Sequence, residues 1–168
     1  ELNLGGGLGV RYTEDDRTIS YSEAISDIAA VIRSFCAESG IAMPRIILEP
    51  GRSLVAAAGA TLYTVGSVKE IPNFRNYVSV DGGMPDNPRY ALYQSLYSAV
   101  IANKASEKAD YSCTIAGRCC ESGDIIQCNV SLPRPQRNEV LAVCTTGAYN
   151  YSMASNYNRI PRLPVIMV

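Results

Sequence analysis

The chain has 168 residues, 47% hydrophobic and 18% charged, enough for one ordinary domain with a core or for two small lobes. Its 15 basic and 16 acidic residues form no like-charged run, and no apolar run approaches the roughly 20 residues that cross a bilayer, so neither nucleic acid nor membrane is expected as a partner. With six cysteines lacking a C-x-x-C pair, no histidine and no signal-peptide layout, the sequence reads as a cytoplasmic protein with reduced thiols and no usual zinc site.

Taken in order, Leu2 to Leu4 starts as a strand and runs into Gly5-Gly6-Gly7-Leu8-Gly9, backbone able to reach positive φ and approach a ligand closely. This is a tight turn or a phosphate cradle, because the dinucleotide and Walker patterns are both absent. Ser20 or Ser22 caps the next element, with Glu23 early in it. Ile25, Ile28, Ala29, Ile32 and Phe35 then recur at helical spacing as far as Ser39-Gly40. Arg45 to Leu48 is a short apolar strand ending on Glu49-Pro50-Gly51-Arg52. Strand, glycine loop, helix, strand and charged loop make a βαβ unit, which places both loops on one rim, at the carboxyl ends of parallel strands.

From Thr61 the character changes: Thr61 to Val68 and Tyr77 to Asp81 alternate with period two and are rich in β-branched and aromatic residues. Asp81 to Pro88 is dense in turn formers. Arg89 and Tyr93 follow, four apart, either sharing one helical face as a cation and a phenol or standing as a solvated arginine and a packed tyrosine. Strands are expected at Tyr111 to Ala116 and Ile125 to Val130, around Gly117-Arg118-Cys119-Cys120-Glu121-Ser122-Gly123-Asp124. This loop sets a thiol beside a carboxylate, a proton donor and an ammonium holder if it is a site, a hairpin turn with a packed cysteine if it is not. Glu139 to Thr145 reads as a strand, Gly147 to Asn158 as a polar, aromatic loop, and Leu163 to Val168 as a final apolar strand. A sequence that starts and stops inside strands is expected to be part of a longer protein.

Five of these stretches, in this order, resemble the diaminopimelate decarboxylase family, in the alanine-racemase-like class of pyridoxal-phosphate enzymes. They are Gly5 to Gly9; Glu49 to Arg52; Asp81-Gly82-Gly83-Met84 with Asn87 to Tyr93; Cys120 to Asp124; and Gly147-Ala148-Tyr149 with Ser152 to Asn158. The resemblance implies an α/β plus β fold. The last units of a (β/α) barrel, with the cofactor-phosphate loops, would occupy residues 1–59, and a mainly antiparallel β-barrel or sandwich domain bearing the Cys-Glu loop would occupy 60–168.

It also implies roles. Gly7 and Gly51 would give backbone N–H groups to the phosphate of pyridoxal 5'-phosphate, in a loop that includes Pro50, and Glu49 would pair with the pyridine nitrogen. Arg52 and Arg89 resemble clamps on the substrate carboxylate, completed by Tyr93 and by Tyr149, which also reaches the phosphate. Cys120 resembles the proton donor, and Glu121 the holder of the distal ammonium, both serving the partner subunit of a homodimer. The family's cofactor-bearing lysine and stacking histidine lie upstream, and Lys69, Lys104 and Lys108 stand in no such context. The full-length protein is therefore expected to decarboxylate an amino acid, meso-diaminopimelate, to L-lysine, with this chain inactive alone. The rivals are an ornithine- or arginine-type decarboxylase, whose pattern has Cys-Asp where this chain has Cys120-Glu121, and a non-catalytic β assembly module.

Overall fold

The structure, a computed structural model, describes residues 1–168. Leu2–Asn3 (β1) and Ile46–Ile47 (β2) pair in parallel, Leu2 opposite Ile46. Between them runs α1 (Tyr21–Ser39), whose start follows from a capping box. The Ser20 hydroxyl accepts from the Glu23 amide at 3.2 Å while the Glu23 carboxylate accepts from the Ser20 amide at 3.0 Å, satisfying two otherwise orphaned donors. Gly40, left-handed at φ 65°, ends it. The strand-helix-strand unit expected from spacing is thus present, and a short helix, α2 (Arg52–Val55), leaves its charged loop.

The rest folds into one six-stranded sheet. Its strands are β3 (Thr61–Ile71), β4 (Arg75–Val80), β5 (Ala99–Ile101), β6 (Tyr111–Ala116), β7 (Ile125–Leu132) and β8 (Val140–Val143), in the spatial order β5-β8-β3-β4-β6-β7. Every neighbouring pair is antiparallel except β4 and β6, which run parallel. The edge strands β5 and β7 approach one another, so the sheet nearly closes into a barrel and is not a sandwich. Alternation sets its interior. Tyr63 and Val65, Val78 and Val80, Cys113 and Ile115, Leu141 and Val143 all point inward, joined by Ile126, Leu132 and Ile101. A bulge between Val65 and Val68 lets the Ser67 amide donate to Ser79 Oγ at 2.8 Å.

Two differences from the sequence reading are physical. Ala99–Ile101 is a strand because β8 offers it a ladder, Ala99 opposite Val143, although three residues carry no periodicity. The expected strand at Leu163 to Val168 is not formed. Leu163 packs on the core, but no strand pairs with the segment, and Val165, Ile166, Met167 and Val168 are exposed. Apolar sequence alone does not make a strand where no ladder partner is offered.

Candidate active site

The parallel pair carries both glycine-containing loops to one rim. The Leu4 amide donates to the Ile47 carbonyl at 3.0 Å and the Glu49 amide to the Gly5 carbonyl at 2.7 Å. A Cβ on Gly6 would lie 2.5 Å from the Glu49 carbonyl oxygen, so only glycine lets the loops touch. Glu49 is exposed, and its Oε1 accepts from Asn3 Nδ2 at 2.5 Å. Gly7, at φ 84°, and Gly51 face open space, and neither amide donates within the chain. Bare N–H groups on two adjoining loops are what an anion would need there.

Arg52, at the start of α2, and Arg89, at the start of α3 (Arg89–Tyr93), converge on one phenol. The Tyr149 ring lies 5.4 Å from the Arg52 guanidinium carbon and 5.0 Å from that of Arg89. Tyr93, one turn along α3, stacks 5.7 Å from Arg89, so the cation and the phenol do share a face. Tyr149 is held in place by steric necessity. A Cβ on Gly147 would lie 2.0 Å from the Val55 carbonyl oxygen, and the Gly147 amide donates to the Ala56 carbonyl at 3.0 Å, welding this segment to the end of α2. Tyr149 itself sits at φ 71°, ψ −43°, sparsely populated for a bulky residue, just before α4 (Asn150–Met153). Its carbonyl accepts from Ser152 Oγ at 2.9 Å and from the Met153 amide at 2.8 Å, bonds that offset the strain.

The charge in this cluster is unbalanced. The four ion pairs, Arg45–Glu1, Lys104–Glu139, Lys108–Asp110 and Arg134–Glu70, all lie elsewhere, leaving two half-buried guanidinium groups without a carboxylate. Arg89 Nε is buried with no acceptor. A hydrogen bond to Tyr149 raises the Arg52 guanidinium above its ordinary value, so it is cationic throughout the working pH range.

At the β6–β7 connection, Asp124 organises the Cys-Glu loop. Its buried carboxylate accepts from the Cys119 amide at 2.6 Å and from the Met84 amide at 2.6 Å, tying the loop to the Asp81 to Pro88 turn. Cβ atoms on Gly83 and Gly117 would lie 2.3 Å and 2.2 Å from its oxygens, so both glycines are needed for the clamp. Beyond it the loop turns outward, with Cys119 half-buried and Cys120 exposed. Burial, followed by the Asp124 charge, pushes the Cys119 thiol up to about 11, which keeps it protonated at neutral pH. Glu121 is exposed, with Oε1 accepting from the Gly123 amide at 3.0 Å and Oε2 from the Tyr157 hydroxyl at 3.3 Å.

The predicted residues therefore fall into two groups. Arg52, Arg89, Tyr93 and Tyr149 come together, the loops of Gly7 and of Glu49, Pro50 and Gly51 are joined by the Glu49–Gly5 hydrogen bond with Arg52 following Gly51 directly, and Cys120 and Glu121 stand on the separate β6–β7 connection. Sequence reasoning missed Tyr12. Its ring lies 5.9 Å from Arg89 and meets Tyr97 edge-on at 4.9 Å, and its carbonyl accepts from Ser98, docking the loop after the glycines onto the sheet domain. Tyr97 is fully buried and donates to Asn150 Oδ1 at 3.2 Å, next to Tyr149. Nothing in the local pattern around Tyr12 marks these long-range partners.

A family model described as pyridoxal-dependent decarboxylase, C-terminal sheet domain, matches residues 18–147. The diaminopimelate decarboxylases of Bacillus methanolicus and Bacillus subtilis (strain 168) are each 53% identical over 167 residues, 99% of this chain and 39% and 38% of theirs. A crystal structure of diaminopimelate decarboxylase from M. jannaschii in co-complex with L-lysine is similar at TM-score 0.83 and 37% identity, over 93% of this chain and 35% of that one. The chain thus spans about 39% of the length of such relatives.

Proposed function

The chain belongs to the pyridoxal-dependent decarboxylases, and we propose that the full-length protein removes a carboxylate from meso-diaminopimelate to give L-lysine and CO₂, the last step of lysine biosynthesis. The observation that carries this reading is the Arg52–Tyr149–Arg89 stack without a carboxylate partner, set beside the unpaired amides of Gly7 and Gly51. Two dianion-seeking features on one rim suit a substrate with two carboxylates and a cofactor with a phosphate. We read residues 1–59 as part of a (β/α) barrel and 60–168 as the sheet domain that closes over it.

These residues fit pyridoxal phosphate. Gly7 and Gly51 would hold its phosphate with the Tyr149 hydroxyl, Pro50 would border it, and Glu49 would face its ring nitrogen, one carboxylate oxygen remaining free of Asn3. The cofactor supplies, when bound, the electron sink that lets an α-carboxylate leave as CO₂. Arg52, Arg89 and Tyr93 orient the substrate, and Arg89 selects for the second carboxylate. Glu121 holds the distal ammonium. Cys120 delivers a proton from Sγ to the α-carbon in place of the lost carboxyl, and its thiolate regains one from water. Cys120 and Glu121 stand exposed on the β6–β7 connection, and we read them as serving the site of a second copy of the chain, in a cytoplasmic homodimer. No helix is long and apolar enough to cross a membrane.

The test is release of L-lysine and CO₂ from meso-diaminopimelate by the full-length protein with pyridoxal phosphate added. Turnover of ornithine or arginine in preference, or of neither, would sink the proposal.

A further inference from the structure

We propose that Tyr157 is a positioning residue for Glu121, fixing its carboxylate to receive the distal ammonium of the substrate; this rests on the reading of Glu121 given above. Glu121 is an exposed side chain on a loop tip, where a free carboxylate would sample several rotamers and lose affinity to that freedom. Instead both of its oxygens are engaged. Oε1 accepts from the Gly123 amide at 3.0 Å, within its own loop, and Oε2 accepts from the Tyr157 hydroxyl at 3.3 Å, from a segment 36 residues away. Each oxygen keeps a lone pair for a cation, so the two donors orient the group without neutralising it.

The supply of that hydroxyl is itself built. The Ser155 amide donates to the Pro85 carbonyl at 3.0 Å, and the Arg118 amide donates to the Gly82 carbonyl at 3.0 Å. Tyr157 and Glu121 therefore hang from the same Asp81 to Pro88 turn. Beyond Tyr157, Asn158 and Arg159 both take left-handed φ values, 53° and 61°, and reverse the chain tightly after the tyrosine. Asn156 Nδ2 holds that reversal closed on the Ile160 carbonyl at 2.9 Å. The negative charge of Glu121 in turn pushes the Tyr157 phenol up, which keeps it a donor.

The experiment uses the cofactor-loaded full-length protein. L-lysine and L-norleucine, which lacks only the distal ammonium, are titrated calorimetrically into wild type, Tyr157→Phe, Glu121→Gln and the double variant, with KM and kcat for meso-diaminopimelate beside them. Tyr157 is 41% exposed, so the phenylalanine variant should fold. Tyr157→Phe should weaken L-lysine roughly 3- to 10-fold, leave L-norleucine unchanged and raise KM more than it lowers kcat. In the Glu121→Gln background it should add nothing. Equal losses for both ligands, or an undiminished loss in the double variant, would assign Tyr157 a purely structural role and overturn the inference. If Glu121→Gln weakens L-lysine but Tyr157→Phe does not, this inference alone fails. If Glu121→Gln leaves L-lysine unaffected, the reading of Glu121 as ammonium holder fails first.

Discussion

Replacing Asp124 by asparagine tests whether one buried carboxylate presents the Cys120–Glu121 pair. Its two oxygens accept from the Met84 and Cys119 amides, at 2.6 Å each. A hydrogen bond to an ionised group is worth about 1.5–3 kcal/mol net. Asparagine keeps one acceptor, now neutral and weaker by about 1 kcal/mol, and turns an N–H toward the other amide, losing that bond outright. The sum is about 2–4 kcal/mol of local stability. Because about 1.4 kcal/mol is tenfold in an equilibrium, the protected amides of Met84 and Cys119 should exchange with deuterium about 30- to 1,000-fold faster in Asp124→Asn. Hydrogen exchange over residues 83–88 and 117–124 of the full-length protein measures this, with Asp27→Asn on the exposed face of α1 as a control. The kcat should fall in parallel, as the thiol loses its placement. If exchange in both stretches stays within about threefold of wild type, Asp124 does not clamp the loop.

Cys120→Ser should lower kcat by about 10²–10⁴-fold while Cys119→Ser does little, and dimers mixed from a Cys120→Ala chain and a chain without the cofactor-bearing lysine should regain one intact site in two; activity that survives Cys120→Ser, or inactive confirmed heterodimers, would count against these roles. Arg89→Ala should weaken meso-diaminopimelate by about 2–5 kcal/mol and leave a substrate without the second carboxylate unaffected, and an unchanged kcat/KM would remove Arg89 from the site. Burial raises the Asp86 carboxyl above its ordinary value. Ionisation therefore works against folding, and stability is lost as pH rises from the unfolded value near 4 through the folded one. Asp86→Asn, whose amide oxygen can still accept from Gly83, should then stabilise the protein at pH 7 and lose that gain as pH falls below the unfolded value near 4, as read by urea unfolding; a larger gain at low pH would reverse the sign.

What was legible in the sequence was local. The sequence offers Ser20 or Ser22 as the cap with Glu23 early in the helix, of which the structure takes Ser20, and Tyr111 to Ala116 alternates so cleanly that the observed strand has those bounds. The rim shared by Gly5 to Gly9 and Glu49 to Arg52 follows from βαβ handedness and parallel pairing alone. What was not legible depends on partners far away in the chain. Ala99–Ile101 becomes a strand only because β8 is free to pair with it, and Leu163 to Val168 fails to become one because no edge takes it. Tyr12, inside a polar stretch, is fixed by Tyr97, Ser98 and Arg89, more than 70 residues on. Asp124 reads in sequence as the end of a turn. Its clamp becomes visible only when Gly83, from another connection, leaves room for it.

The Asp81 to Pro88 turn links the two halves of the candidate site. At its end Pro88 leads directly into α3, so the turn sets where Arg89 points. Its Met84 amide grips Asp124, its Gly82 carbonyl takes the Arg118 amide and its Pro85 carbonyl takes the Ser155 amide, so the same turn sets Cys120, Glu121 and Tyr157. The turn can hold all of these because it is largely interior: Gly82, Gly83, Pro85, Asp86, Asn87 and Pro88 are buried. A loop with that packing does not adjust one end without moving the other. If Cys120 and Glu121 act across a dimer while Arg89 acts within its own subunit, each copy of the turn fixes a substrate clamp for one site and a proton donor for the other. The thiol and the guanidinium then need not meet within one chain, since each faces a different substrate.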